Sequence, residues 1–315
     1  MKQLNIIKNQ NKYFFISLAI IVIGLIFYIV NGVQLDIQFS GGTRIMIETN
    51  GEVDSNKAEE LVESALGKSV TAQTQKTNNP DAEEEVIYML RLDIASEETL
   101  TADERDMVVD IITQNFDVKE GGNQEMLSVE PSIGRETLLS GLKAVLIASV
   151  LIIAYVTWRF SAIHGLAAAI TAVIALIHDI LVTFSLYPIF RLPLGEVFIS
   201  AVLTIIGYSL NDTIIIYDRI RENTRLMKKS TLEEIVNTSI NQSLTRTINT
   251  SATTLITLIT LFIFASVNNI SSLVEFSLPL IAGFIAGVYS TVFIASPLWL
   301  MWRRRAAMKK TPKKA

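Results

Sequence analysis

Two charged residues sit inside otherwise apolar stretches. Asp212 lies in TIIGYSLNDTIIIYDRIREN (204–223), six residues before the polar boundary marked by Asp218 and Arg219. Arg246 lies in NQSLTRTINTSATT (241–254), five residues past Asn241. At about 1.5 Å per helical residue, these offsets bury the groups roughly 9 Å and roughly 7–8 Å inside an apolar slab. A charge at the centre of a spanning helix costs about 2.5–3.5 kcal/mol on insertion scales, so such a residue is a functional candidate by default. Opposite in sign and similar in depth, the two fit a carboxylate that takes up and releases a proton beside a fixed cation. Burial favours the neutral acid and the cation favours the ionised one. They fit equally a structural ion pair, or an arginine that snorkels to the interface.

The neighbours extend the pattern. Arg246, Thr250, Thr253, Thr257 and Thr260 recur at helical spacing and share one face. Lipid does not favour such a stripe, so it is expected to face the bundle interior. Ser200, Thr204, Gly207 and Asn211 repeat in the same way beside Tyr208 and Asp212. Two polar stripes flanking an Asp and an Arg suit a hydrated proton or ion path, or interhelical hydrogen-bond glue. His178-Asp179 is a third ionisable site, expected toward the outer end of its helix. It fits a secondary polar path, since histidine titrates near neutral pH, or a cap or pair near the interface. Gly283 and Gly287 form a G-x-x-x-G pair suited to close helix approach.

The elements that must position these groups follow from composition. Of 315 residues, 50% are hydrophobic and 18% charged, against about 25% charged in a soluble domain. Six long apolar stretches stand out: 13–30, about 138–158, 162–187, 197–217, about 243–267 and 276–302. Each is long enough for a membrane-spanning helix. The first exceeds a signal-peptide core and no A-x-A site follows it, so it is expected to stay as an uncleaved anchor. Residues 31–137 hold 23 acidic and 8 basic residues, a balance of −15, and the remainder of the chain is +11. The organisation is therefore a cytoplasmic N-terminus and first helix (1–30), an acidic extracytoplasmic domain (31–137), helices two to six (138–302) with a cytoplasmic loop at about 218–242, and a basic tail (303–315). Lys/Arg residues crowd the N-terminus, the 218–242 loop and the tail, which places both termini in the cytoplasm. No basic stripe lies in the folded polar segment, so nucleic acid is not an expected partner. With no cysteine and two histidines, no metal site is expected. No P-loop or catalytic-triad motif is present, and neither a cofactor nor an enzymatic reaction is expected.

Within the acidic domain, Gly42–Thr49 alternates like a strand, and Asp54–Leu66 reads as a helix capped by Asp54. A weak strand at Val70–Lys76, a turn at Asn78-Asn79-Pro80-Asp81 and a strand at Glu85–Asp93 follow. Thr101–Phe116 is an amphipathic helix, Gly121-Gly122-Asn123 a turn, and Met126–Val129 a last strand. The order β-α-β-β-α-β is that of a ferredoxin-like α+β fold. That fold names no function, and the scattered carboxylates read as a solvated acidic surface.

Over nearly its whole length the sequence resembles the SecF family, the smaller membrane subunits of the SecDF accessory complex of bacterial protein translocation, related to the RND transporters. The resemblance rests on LDIQFSGGT (35–43), VEPSIG (129–134), HD (178–179), IIGYSLNDTIIIYDRIREN (205–223) and NQSLTRTINTSATT (241–254). It implies a bacterial inner-membrane protein that partners SecD and the SecYEG channel and uses protons to help draw unfolded secreted chains across the membrane. It implies that Asp212 and Arg246 belong to the proton pathway. From the polar stripes and the third ionisable site, Asn211, Thr250, Thr253, Thr257, His178 and Asp179 are candidate members of a secondary polar path. Two other readings stand beside it: half of an RND-like small-molecule exporter, marked by a large apolar cleft in the outer domain, and an assembly subunit in which Asp212 and Arg246 are only glue.

Overall fold

The computed structural model describes residues 4–78, 86–95 and 99–310. In chain order the elements are α1 (Gln10–Asn31), α2 (Ile37–Ser40), β1 (Gly42–Thr49), α3 (Ser55–Leu66), β2 (Val70–Asn78), β3 (Val86–Ile94), α4 (Ala102–Asn115) and β4 (Gln124–Val129). They continue with α5 (Pro131–Arg159), α6 (Gly165–Phe190), α7 (Glu196–Leu226), α8 (Leu232–Val267), α9 (Ser271–Ser290), a π-helical segment Thr291–Ala295 and α10 (Ser296–Lys310). Among the described residues, six helical stretches are long and apolar enough to cross a membrane; the sixth joins α9, the π segment and α10.

The six apolar stretches all form helices, but the helices run beyond them. The interval 218–242, expected as a loop, is helical except at 227–231. The reason is local. Asn223 of α7 bonds Ser239 of α8 at 2.8 Å, holding the two extensions together. Thr231 and Glu234 form a reciprocal capping box that starts α8 at once. Helices α6, α7 and α9 make the centre, with α1, α5 and α8 around them. Buried small residues of α6 (Ala167, Ala168, Ala169, Ala172, Ala175) permit the close approach. Gly283 and Gly287 do the same on α9: a Cβ on Gly283 would strike Ile205, and one on Gly287 would stand 3.1 Å from Ser209.

The outer domain has the expected element order, and its antiparallel sheet runs β2-β3-β1-β4. Ile45, Ile47, Leu90, Leu92 and Ile94 point to one face, where Ala58, Val62, Val108 and Ile112 of α3 and α4 cover them. Asp54 caps α3 as expected, accepting from the amides of Asn56 and Lys57. The Asn79-Pro80-Asp81 part of the predicted turn lies outside the described residues.

Thr101 and Glu104 form a second capping box, and Lys68 stands 2.5 Å from the Glu104 carboxylate. The Lys68 ammonium, followed by the Thr101 amide, lowers the Glu104 pKa from 4.5 to about 2. A carboxyl whose pKa is depressed on folding adds stability above its unfolded value and loses it as pH falls through the folded one. Helix α4 is therefore expected to weaken between about pH 4.5 and about 2. Hydrogen exchange of the α4 amides across that range should show it, with Glu104→Gln flattening the profile.

The two outer sequence boxes meet. A Cβ on Gly41 would strike Pro131, and one on Gly134 would come within 3.0 Å of the Phe39 carbonyl oxygen. The LDIQFSGGT box is thus a seat for the start of α5. Glu130, in VEPSIG, has φ −66°, a backbone that needs no glycine. Gly42 does need its freedom, with φ +132° and no room for a Cβ against the Ile94 carbonyl.

Candidate functional site

Helix α7 carries Asp212 on its buried side, flanked by Ser209, Thr213 and Ile216. The carboxylate is fully buried. Its Oδ2 accepts from the Ser251 hydroxyl of α8 at 3.4 Å, and Tyr208 donates to Ser251 at 3.3 Å. Its Oδ1 has no hydrogen-bond partner among the described residues. A buried carboxylate oxygen without a partner is costly and calls for an explanation.

Arg246 lies toward the end of the same helix pair where residues 227–231 join α7 to α8. It lines a cavity of about 700 Å³ with Asp218, Arg219, Glu222, Gln242 and Ser243. The structure brings Asp212 and Arg246 onto adjacent, antiparallel helices as expected, but not into an ion pair: no salt bridge within 4.0 Å joins them among the described residues. Arg246 remains near enough to bear on the charge of Asp212 through space.

The threonine stripe does not face the interior of this chain. Thr253, Thr257 and Thr260 are exposed and Thr250 is half-buried. Ser200, Thr204 and Asn211 of α7 are exposed as well. The expectation failed because these hydroxyls are satisfied within their own helices. Thr253 donates to the Thr250 carbonyl, Thr257 to Thr253, Thr260 to Ile256 and Thr204 to Ser200, at 2.8–3.1 Å. Back-bonding of this kind lowers the cost of an outward-facing hydroxyl. The buried polar face of α8 is instead Ser239, Ser243, Thr247 and Ser251, at intervals of four. Ser243 lines the cavity and Ser251 bonds Asp212. Its i, i+4 spacing is legible in the sequence, but no charge lies on that face to mark it.

His178 and Asp179 lie midway along α6, not toward its outer end. The helix starts at Gly165 and extends three residues past its apolar stretch, to Phe190. Asp179 is fully buried and accepts from Ser209 of α7 at 2.7 Å, Ser290 of α9 at 2.9 Å and His178 Nδ1 at 3.0 Å. The cluster ties the three central helices together. Next to it, Thr213 and Thr291 meet at 3.1 Å, joining the turn after Asp212 to the π segment. Ser209, Ser290 and Thr291 carry no charge, and nothing in their spacing marks them.

A second polar cluster lies where the outer domain meets the helices. Asp36 caps α2, and Asp36 and Asp93 share the guanidinium groups of Arg44 and Arg91 at 2.5–3.0 Å. Arg44 stands directly opposite Asp93 in the β1–β3 register. Arg91 also reaches Glu275 on α9 at 3.3 Å. The alternation of Arg44 with Ile45 and Ile47, and of Arg91 and Asp93 with Leu90, Leu92 and Ile94, puts these charges on the sheet face away from α3 and α4.

Residues 109–305 match the family described as protein export membrane protein SecD/SecF, C-terminal. The SecDF protein translocase subunit of Bacillus subtilis is 35% identical over 305 residues, which cover 96% of this chain and 38% of that one. SecF of Petrotoga mobilis is 30% identical over 315 residues, covering 99% of this chain and all of the relative. SecF of Rhodothermus marinus is 33% identical over 314 residues, covering 96% and 94%. The crystal structure of SecDF from Thermus thermophilus, a translocon-associated membrane protein, superposes with a TM-score of 0.78 at 26% identity, covering 96% of this chain and 39% of that one. The chain thus spans about two fifths of the SecDF proteins it matches and nearly the whole of the SecF ones.

Proposed function

The chain belongs to the SecD/SecF family of protein export membrane proteins, and from that membership we propose that it is the SecF half of a proton-driven aid to protein translocation. It is a multi-pass inner-membrane protein and a translocase subunit. In the proposed cycle it pairs with SecD, stands beside the SecYEG channel and draws unfolded chains outward, without an enzymatic reaction of its own. The observation that carries the proton reading is Asp212: fully buried, with one oxygen unpartnered and the other on Ser251, within electrostatic reach of Arg246 at a polar cavity. Protonation there removes a charge from the α7–α8 contact and shifts the packing of α7 on α9. One elementary charge moved across 100 mV supplies about 2.3 kcal/mol. That is enough to bias two packings of similar energy.

The exposed polar faces of α7 and α8 support a partner. The Asn211 amide and the Arg246 guanidinium, both exposed on this chain, lie on surfaces that lipid does not favour, and a SecD half of similar frame would cover them. Both termini are assigned to the cytoplasm by the Lys/Arg pattern. In a chain without native cysteine, Asn50→Cys is expected to react with an impermeant thiol reagent added outside intact cells and Lys228→Cys is not. The opposite labelling reverses the assignment.

The test of the function is proton uptake by vesicles holding the chain reconstituted with its SecD partner. Uptake that depends on an imposed gradient is expected, and Asp212→Asn is expected to remove it. Equal uptake by the two proteins would leave an assembly subunit in place of a proton-driven one.

A further inference from the structure

The five-membered ion cluster at the base of the outer domain is used by neither the proton site nor the domain's apolar core. Four of its members, Asp36, Arg44, Arg91 and Asp93, are closely bound; their side chains are 6–15% exposed. They belong to the domain and its entry segment. The fifth, Glu275, belongs to α9. Its side chain is 37% exposed and its one contact to the cluster, to Arg91 Nη1, is 3.3 Å. A cavity of about 280 Å³ adjoins that contact, lined by Gln73 of β2, Arg91, Ser272 and Glu275 among others. If Glu275 withdraws, Arg91 keeps both Asp36 and Asp93, so no buried charge is stranded. The contact is therefore the one member of the cluster that can open and close at low cost.

The helix that bears Glu275 is also the helix that meets the proton site. Thr291, the first residue of the π segment that follows α9, bonds Thr213, the residue after Asp212. Ser290 bonds Asp179, and Gly287 lies against Ser209. The segment after Ser290 is π-helical, a geometry frequent where a helix must change register or orientation at a functional site. A continuous set of contacts thus runs from Asp212 through α9 to Glu275, Arg91 and strand β3.

We propose that Glu275 is a positioning residue whose contact with Arg91 passes movement of the sixth span to the outer domain. This deepens the proton-driven reading and rests on it. Coupling is shown when a change at one site alters the work done through the other, and the test separates proton movement from work. In membranes holding the assembled complex, Glu275→Gln is expected to lower gradient-dependent secretion by about tenfold, within the usual range of coupling between sites, while proton uptake continues. Glu275→Asp is expected to restore secretion in large part, because it returns the charge to Arg91. Secretion by Glu275→Gln at the unaltered level overturns the proposal. So does an equal loss of secretion in Glu275→Asp and Glu275→Gln with uptake lost as well, which marks a packing role only.

A second measurement needs no proton signal. Gln73→Cys with Ser272→Cys places two thiols around the cavity of a chain that has none. Bridging them with a short bis-methanethiosulfonate reagent, which forms a disulfide to each thiol and releases methanesulfinate, is expected to stop secretion, and reducing those disulfides with an added thiol is expected to restore it. Unchanged secretion with the bridge closed overturns the joint. If the unaltered protein takes up no protons, the proton-driven reading falls. Arrest of secretion by the bridge then still supports a moving joint, driven by something else.

Discussion

Asp212→Asn is expected to lower gradient-dependent secretion by roughly 10²-fold or more, the scale on which loss of an acid–base group acts, in a chain that remains folded and assembled. The amide keeps the shape of the side chain, and its oxygen can accept the Ser251 hydroxyl that Oδ2 accepts now. What is lost is the ability to exchange a proton. Arg246→Met is expected to lower secretion as well, and it too should leave the fold intact. The reason is geometric: Arg246 is exposed at the cavity and makes no salt bridge to Asp212, so removing either partner strands no tightly paired buried charge. A glue role predicts the reverse. Each single change would then destabilise, and the double change Asp212→Asn/Arg246→Met would recover stability and secretion together. The proton role predicts a double variant that is stable, assembled and inactive. Secretion assayed with and without an imposed gradient, beside the yield of complex, decides between them. Recovery of secretion in the double variant would remove the proton role.

What the sequence made legible, and what it did not, divides along a physical line. A charge in an apolar run stands out because its transfer cost is large, so Asp212, Arg246 and Asp179 could be picked without a structure. Runs of about twenty apolar residues and the alternation of Ile45, Ile47, Leu90 and Leu92 were likewise enough for the spans and the outer sheet. Direction within a helix was harder. A threonine stripe and a serine–threonine stripe share α8, and spacing alone cannot say which one a neighbour covers. Outward hydroxyls that bond carbonyls of their own helix, as Thr257 does to Thr253, lack the cost that would turn them inward. Pairings across distant segments were the least accessible. Asp36, Arg91 and Glu275 are separated by 55 and 184 residues, and only the fold brings them together. The helix ends were missed for a related reason: Asn223, Ser239 and the Thr231–Glu234 box stabilise helix outside the apolar slab, where hydropathy carries no signal.

The Asp179 cluster presents the sharpest choice between a tie and a titrating site. Its carboxylate receives a donor from each of Ser209, Ser290 and His178. Asp179→Ala is expected to cost about 2–4 kcal/mol, the sum of an unsatisfied Ser209 donor and a small cavity at a three-helix contact. Ser290 adds less, because it also reaches the Gly287 carbonyl at 3.2 Å. Asp179→Asn is expected to cost much less, about 1 kcal/mol. Both serines bond Oδ2 and the histidine bonds Oδ1, so an amide placed with its oxygen toward the serines turns its NH₂ toward His178. Nδ1, the donor to Asp179, then accepts instead, and the ring proton resides on Nε2. That nitrogen is buried with no hydrogen-bond partner among the described residues, which is where the remaining cost arises. A tie of this kind needs acceptors and packing, not a change of charge. Asp179→Asn is therefore expected to keep most of its gradient-dependent secretion while Asp179→Ala loses it through instability. Thermal unfolding of the purified complex, measured beside secretion, tests both. An Asp179→Asn protein as stable as expected but unable to secrete would make Asp179 a titrating member of the cycle and would end the tie as its explanation.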